Sequence, residues 1–207
     1  MNQKLHQNHA SVAFAEVIES SLQTFTAQTW QWDNPPHFGS IMSVQSGDKT
    51  LFGVVYDVKT GTLDGHRQPF AYQKTEEELK KEQPQIFEFL ITTFSCLVLG
   101  HQERDSITYQ WAPEPPKIHA FVSPASPVAM ATLLAHDQYL HLIFNATAIL
   151  PNSDELILAL FKEQVTHKLL SKERQHQLLD TFSLLTGNDY RRLKLFLQRA
   201  DFLHSAQ

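Results

Sequence analysis

A chain of 207 residues with 42% hydrophobic and 19% charged side chains is long enough for one large domain or two small ones, and its composition is that of a globular protein. The formal net charge of -5 argues against a protein whose main task is to coat nucleic acid, because such proteins carry a basic excess or a basic face. The single cysteine, Cys96, excludes an intrachain disulfide, and its apolar surroundings in the sequence predict a buried thiol in a reducing compartment.

The first residues predict no targeting segment. Acidic residues interrupt the N-terminal stretch too early for the apolar region of a signal peptide. No apolar run approaches the roughly 20 residues that cross a bilayer. We therefore expect a cytoplasmic protein. Residues 1–10 are polar and lack periodicity, so that we expect a disordered tail there.

Strands are predicted through most of the following hundred residues. β-Branched and aromatic residues with partial alternation indicate strands over 12–18 and 21–32. The clearest strand pair is formed by residues 38–44 and 51–58, because the Ser-Gly-Asp-Lys sequence at 46–49 supplies the chemistry of a tight turn between them.

Turns and a short helix are predicted between this pair and the next apolar run. Gly53, inside the second strand, indicates a bulge, a barrel corner or the close approach of another backbone. A turn is predicted over 60–65 and a short strand over 66–72. Thr75 with Glu78 three positions later is a capping-box pattern and predicts a short helix.

The most hydrophobic run of the chain, residues 87–99, predicts a central strand, because it is rich in β-branched and aromatic residues. Residues 107–111 would pair with it. A linker stiffened by prolines then leads to a last strand over 118–122. If one boundary divides the chain, we expect it near this point.

Beyond this boundary the hydrophobic pattern turns helical. Either Ser123 or Ser126 can cap a helix that begins near Pro127 and turns Val128 inward with Met130. Residues 141–149 fit a strand or a helix equally well. Further helices are predicted over about 152–170, over 172–185 with an end at Gly187, and over 189–202.

The first 122 residues share several features with one known family of barrels. These features are the strand start Phe38-Gly39-Ser40, the turn Gly47-Asp48, the strand centre Phe52-Gly53-Val54-Val55 and the proline-rich exit over 113–122. On these residues, the stretch resembles the HAS barrel, a small β-barrel at the N-terminus of HerA-type DNA-translocating ATPases and of rotary ATP synthase subunits. The resemblance implies an oligomerising or adaptor role, since the barrel serves ring formation and subunit contact in those assemblies.

The nucleotide-binding domain of those ATPases has no counterpart in this sequence. The chain has seven glycines, and none stands in the patterns G-x-x-x-x-G-K-[ST] or G-x-G-x-x-G, whose backbone N–H groups cradle phosphates. No cofactor is therefore predicted. The sequence also lacks G-x-S-x-G and H-E-x-x-H, and it favours a non-enzymatic protein.

Two groups of reactive side chains are weaker candidates for a site. His136, Asp137 and His141 suggest a metal site, but two histidines five positions apart share neither a helix face nor a strand face, and solvated histidines are the expected case. Cys96 and His119 would form a nucleophile and base only if the fold brought them together, and Cys96 is expected in the core.

The last predicted helix carries a basic group beside an apolar stripe. Its members are Arg191, Arg192, Lys194 and Arg199, and residues 151–207 hold eight basic and seven acidic side chains. These four side chains are the candidate contact for a protein partner or for nucleic acid. A helix that docks on the barrel with its arginines in solvent is the competing interpretation.

The sequence thus predicts an α+β protein with a tail over 1–10, a small closed or nearly closed antiparallel β-barrel over 11–122, and a mainly helical region over 123–207. The predicted function is a non-enzymatic binding or assembly module that contacts a protein partner or a second copy, and no membrane. Two alternatives stay open. One is a small-ligand-binding protein or enzyme with a site between barrel and helices, and the other is a nucleic-acid-binding accessory factor that uses the basic C-terminal helix.

Overall fold

The computed structural model describes residues 13–63, 70–104, 106–150, 152–187 and 189–200. The strands in these ranges are β1 (Ala15–Ser20), β2 (Thr24–Thr29), β3 (Ile41–Ser46), β4 (Lys49–Thr62), β5 (Leu90–Glu103), β6 (Ser106–Thr108) and β7 (Phe121–Pro124). The helices are α1 (Glu76–Glu82), α2 (Gln85–Glu88), α3 (Pro127–Leu133), α4 (Gln138–Asn145), α5 (Ser153–Thr166), α6 (Lys172–Leu185) and α7 (Tyr190–Arg199).

Six of the strands form a closed antiparallel barrel. Their order is β2-β1-β7-β3-β4-β5, and β5 pairs in turn with β2, where Cys96 lies opposite Phe25. Residues 93–97 of β5 make this closing pair, and residues 101–103 of β5 pair with the short strand β6. The helices lie mostly after the barrel in sequence. The predicted α+β class with an N-terminal barrel is therefore confirmed.

The interior of the barrel is filled by alternate residues of its strands, as the two-residue period of a strand requires. The rings of Phe25 and Phe94 and the thiol of Cys96 are at most 1% exposed. The other buried side chains of this core are Ala15, Val17, Ala27, Met42, Val44, Val55, Val98 and Val122. The interior is thus a packed hydrophobic core.

Gly53 combines two of the roles that the sequence indicates for it. The register between β4 and β5 shifts between Phe52 and Gly53, which is a β-bulge. A Cβ atom on Gly53 would lie 2.7 Å from Cε1 of Phe25 and 2.9 Å from Cβ of Cys96. The glycine therefore lies opposite the bulge at Leu99 of β5, in the longest strand pair of the barrel, and leaves room for an interior aromatic ring.

The outward side chains of β3, β4 and β5 belong to a second core that the barrel shares with the helices. Ile41, Phe52 and Leu99 are buried there. The helical side of this core includes Leu133, Leu140, Leu160, Phe161, Phe182 and Phe196. The helical region therefore covers this side of the barrel and shares a continuous hydrophobic core with it.

The helix ends follow the capping signals in the sequence. Thr75 Oγ1 accepts a hydrogen bond from Glu78 N at 3.3 Å, and Glu78 Oε2 accepts one from Thr75 N at 2.8 Å, so that both bonds of the predicted capping box are present. The hydrogen bonds that the Glu78 carboxylate accepts from the backbone N–H and the hydroxyl of Thr75 lower the pKa of Glu78. Ser126, rather than Ser123, caps α3 through Ala129 N. Gly187, after α6, has a φ of 63°.

Three local predictions are wrong. The turn predicted over 60–65 begins too early, because β4 continues to Thr62 in its pairing with β5. The central strand begins at Leu90, since residues 87 and 88 lie in α2. Val128 is 77% exposed, because it stands two positions before the buried Met130, and residues two apart do not share a helix face.

Three further stretches are either ambiguous in the sequence or lie at least partly outside the described residues. Residues 138–145 form α4, which settles most of the ambiguous stretch 141–149 as helix. Residues 70–72 are not in a strand, and the remainder of the short strand predicted over 66–72 lies outside the described residues. The tail predicted over 1–10 lies outside them as well.

Replacement of Gly53 by alanine is expected to destabilise the protein by about 2–3 kcal/mol, because the new methyl group overlaps the ring of Phe25 and the interior repacks at a cost. Urea-induced unfolding measures this change. Gly61→Ala is the matched control, since Gly61 lies in the same strand with no atom near its Cβ position, and it is expected to change stability by less than about 0.5 kcal/mol. Equal stabilities of the two variants would contradict the packing described for Gly53.

Candidate functional site

One wall of the barrel carries exposed apolar side chains that the helices do not cover. We name it the aromatic wall, and we define it by residues of β1 and β7, of the segment before β7 and of the position directly after β2: Glu16, Ile18, Phe121, Ile118, His119 and Trp30. None of these residues belongs to the core that the barrel shares with the helices. Trp30 is 52% exposed and Phe121 is 48% exposed.

The pairing of the strands brings the two aromatic rings together. Glu16 on β1 lies opposite Phe121 on β7, and the backbone N–H of Trp30 donates to Phe14 O at 2.9 Å just before β1. Trp30 and Phe121 meet edge to face, with ring centroids 5.6 Å apart and an interplanar angle of 87°. This is a favoured geometry of aromatic pairs, so that each ring restricts the rotamers of the other.

Glu16 holds the polar edge of the aromatic wall. Trp30 Nε1 donates to Glu16 Oε1 at 3.3 Å, and His119 Nδ1 lies 3.3 Å from Glu16 Oε2. His119 itself has a φ of 65° and donates its backbone N–H to Val17 O at 2.8 Å. One carboxylate thus orients an indole and an imidazole before any partner arrives, which reduces the conformational entropy that binding would cost.

The composition of the aromatic wall suits binding more than catalysis. Besides the two aromatic rings, the wall includes two exposed isoleucines, Ile18 and Ile118, which are 44% and 49% exposed. Aromatic side chains are enriched in protein interfaces, and tryptophan is a frequent hot-spot residue. A cluster of exposed apolar side chains indicates a contact surface, whereas single ones do not.

Neighbouring residues in the sequence predict only part of this wall. Phe25, Ala27 and Thr29 point into the barrel, and the two-residue period then turns Trp30 outward. The position of Phe121 beside it depends on the pairing of β1 with β7, which no local pattern specifies. Trp32, by contrast, is half-buried and stacks on Phe87 with ring centroids 5.6 Å apart.

The structure divides the four predicted contact residues of the C-terminal helix into two pairs. Arg192 and Arg199, on α7, form ion pairs with Asp154 and Glu155 in the first turn of α5. Their guanidinium groups are therefore engaged in holding two helices together. A contact of these two side chains with a partner or with nucleic acid would compete with these ion pairs.

Arg191 and Lys194 form the second pair. Both are exposed on α7. Neither makes an ion pair or a side-chain hydrogen bond with the residues that the structure describes. These two side chains are accordingly the ones that could meet an acidic partner without loss of an internal contact.

Arg192 connects three helices. Its Nε donates to both carboxylate oxygens of Asp154 at 3.1 Å, and its Nη2 donates to Ser153 Oγ at 3.1 Å. Its guanidinium carbon lies 5.1 Å from the ring centroid of Phe144 on α4. The hydrogen bonds to Asp154 raise the pKa of Arg192. This bidentate geometry is stronger than that of a simple surface ion pair.

Arg192→Ala is expected to lower the free energy of unfolding by about 1–2 kcal/mol, because it removes charge-assisted hydrogen bonds that are partly shielded from solvent. Chemical denaturation measures the loss. Arg191→Ala is the matched control on the same helix, with an expected change below about 0.5 kcal/mol. An equal loss in both variants would mean that the contacts of Arg192 do not stabilise the helical region.

The predicted histidine group does not form a metal site. Asp137 makes an ion pair with Arg174 and accepts a hydrogen bond from Thr181 Oγ1 at 2.7 Å. His136 and His141 are exposed. Within the described residues, no three metal-ligating side chains are grouped closely enough to hold an ion. Through these two contacts, Asp137 instead links the start of α4 to α6.

Cys96 and His119 are also kept apart. Cys96 lies in the barrel interior and is fully buried, whereas the His119 side chain is on the outer surface beside Glu16. Burial raises the pKa of the Cys96 thiol. Because the thiolate is the reactive form, this cysteine has the environment of an inert core residue.

The thiol of Cys96 is therefore expected to react with a thiol-specific reagent only as fast as the barrel opens. Ellman's reagent at neutral pH should label the native protein very slowly and the urea-unfolded protein at once. Gly53→Ala, which weakens the barrel beside Cys96, should accelerate labelling, and Gly61→Ala should not. Rapid labelling of the native protein would contradict the buried position.

Comparisons with known proteins identify no family for this chain. No protein-family model matches the chain, and no curated protein shows significant similarity to it. None of the helices in the described ranges is long and apolar enough to cross a membrane.

Proposed function

We propose that this protein is a non-enzymatic assembly module that associates with a second copy of itself through the aromatic wall. The observation that carries the proposal is the pair Trp30 and Phe121, two large rings that are half exposed and already oriented on an uncovered side of the barrel. Exposure of such rings costs free energy in water, and a partner surface removes that cost. A cytoplasmic location is part of the proposal.

The polar edge of the wall favours a second copy as the partner. Glu16 and His119 stand side by side, so that the surface presents both a carboxylate and an imidazole. A twofold axis places the same patch against itself in reverse orientation. Under such an axis, the imidazole of one copy can face the carboxylate of the other, and the isoleucines and rings can meet between them.

The resemblance of residues 10–122 to HAS barrels supports the same role, because those barrels make contacts between subunits. The nucleic-acid alternative receives less support. Of its four basic side chains, Arg192 and Arg199 are engaged with α5, and the aromatic rings of the wall are not on the helix that carries them.

The double variant Trp30→Ser with Phe121→Ser is expected to weaken self-association by about tenfold or more, because interface energy concentrates in central aromatic side chains. Sedimentation velocity over a concentration series up to about 100 µM measures the monomer–dimer equilibrium. Both positions are half exposed, so the substitutions are expected to leave the barrel folded. Circular dichroism of the variant checks its folding.

The matched control removes two large exposed side chains from the helical region. Leu184 and Tyr190 are 80% and 81% exposed, and Leu184→Ser with Tyr190→Ser should associate like the unmodified protein. A monomer at every concentration would overturn self-association and leave a different protein as the only partner for the wall. A dimer that survives the Trp30 and Phe121 changes would move the interface elsewhere.

A further inference from the structure

A cleft opens where the barrel meets the helices, and none of the residues that define the aromatic wall lines it. Its sides are the loop over 33–40, the start of β3, the segment before α3 and the C-terminal end of α5. Its volume is ≈ 380 Å³, which lies within the range of small-molecule sites.

The loop on one side of the cleft is fixed in place. Gly39 has a φ of 86°, and a Cβ atom there would lie 2.5 Å from the Cβ of Ala159 on α5. Its backbone N–H donates to Val55 O at 2.8 Å, and Ser40 O accepts from Val55 N at 2.9 Å. Because the loop is hydrogen-bonded to β4 and in contact with α5, the cleft is formed before a ligand binds.

The cleft has an apolar floor and a polar side. The apolar residues that line it include Phe14, Pro124, Ala125 and Met130. The polar side chains are those of Asn34, His37, Ser40, Glu163 and His167. This combination of an apolar surface with a few convergent polar groups is characteristic of binding sites for small organic molecules.

Several of the polar groups are available to a ligand. The side chains of Asn34, His37 and Ser40 make no hydrogen bond with any residue that the structure describes. His167 Nε2 lies 3.4 Å from Glu163 Oε2. The other oxygen, Glu163 Oε1, has no hydrogen-bond donor among the described residues, so it can accept from a ligand.

The charge of the lining selects the class of ligand. Glu163 is the carboxylate of the cleft, and no lysine or arginine is among the described residues that line it. The chain as a whole carries a net charge of -5, which attracts cations over longer distances. Glu163 therefore favours a ligand with an ammonium group over a ligand with a carboxylate.

We propose that this cleft is a binding site for a small organic amine, whose apolar body lies against Phe14, Pro124 and Met130 and whose ammonium group donates to Glu163. His167 orients the carboxylate from the other side. Asn34 and Ser40 are placed to hydrogen-bond further polar atoms of the ligand. This site is separate from the self-association of the aromatic wall, and neither proposal depends on the other.

The experiment compares three probes that share a phenyl body and differ in the head group: phenethylamine, phenethyl alcohol and hydrocinnamate. Amide chemical-shift changes in the full-length protein measure their affinities at probe concentrations up to about 10 mM. The expected result is that phenethylamine binds most tightly and hydrocinnamate least. The shift changes should centre on Ser40, Met130 and His167.

Two variants test the role of Glu163. Glu163→Gln is expected to weaken phenethylamine about tenfold and to leave phenethyl alcohol unchanged, because it removes the charge and keeps the shape. Glu173→Gln makes the same change on α6, outside the cleft, and is expected to alter neither affinity. The proposal is overturned if phenethylamine causes no chemical-shift change, if hydrocinnamate binds with equal affinity, or if Glu163→Gln keeps the preference for the amine.

Discussion

The pairing of β2 with β5 is the constraint on which the rest of the structure depends. It joins the two ends of a sheet that would otherwise expose unpaired backbone groups along both edges. Closure requires strong curvature, and the β4–β5 pair supplies it through two bulges: Leu99 is the extra residue on β5 opposite Phe52 and Gly53, and Tyr56 is the extra residue on β4 between Val55 and Asp57. At the first of these, the missing side chain of Gly53 makes room for Phe25. The interior core and the closing pair therefore depend on the same few residues.

Closure also decides which side chains become available for function. A six-strand barrel turns alternate residues outward on every side. The outward apolar residues that pack against the helices belong to β3, β4 and β5. The outward residues near β1 and β7 keep their exposure, including Trp30 and Phe121. The aromatic wall is thus the part of the barrel exterior that the helical region leaves open. The cleft lies where that cover ends, between α5 and the loop before β3.

Local signals in the sequence predict local structure well. The capping box at Thr75, the cap at Ser126 and the helix end at Gly187 lie where their chemistry requires them. The candidate sites depend on contacts between distant segments, and the sequence does not specify these. Phe121 reaches Trp30 through strand pairing. Arg192 meets Asp154 through the packing of α7 on α5, so a basic helix that looks free in the sequence is partly neutralised in the fold.

Phe14 supports both candidate surfaces. Its ring lines the cleft and stacks on Phe94 of the barrel interior, with centroids 5.7 Å apart, and its carbonyl accepts the backbone N–H of Trp30 at 2.9 Å. Communication between two sites requires an element with two discrete arrangements. Phe14 is instead held by Phe94 and by a hydrogen bond from its N–H to Val122 O at 3.1 Å, so that it is part of a close-packed core. A rigid support of this kind holds two surfaces in place without coupling them, and we therefore expect the proposed ligand of the cleft and the proposed partner of the wall to bind independently.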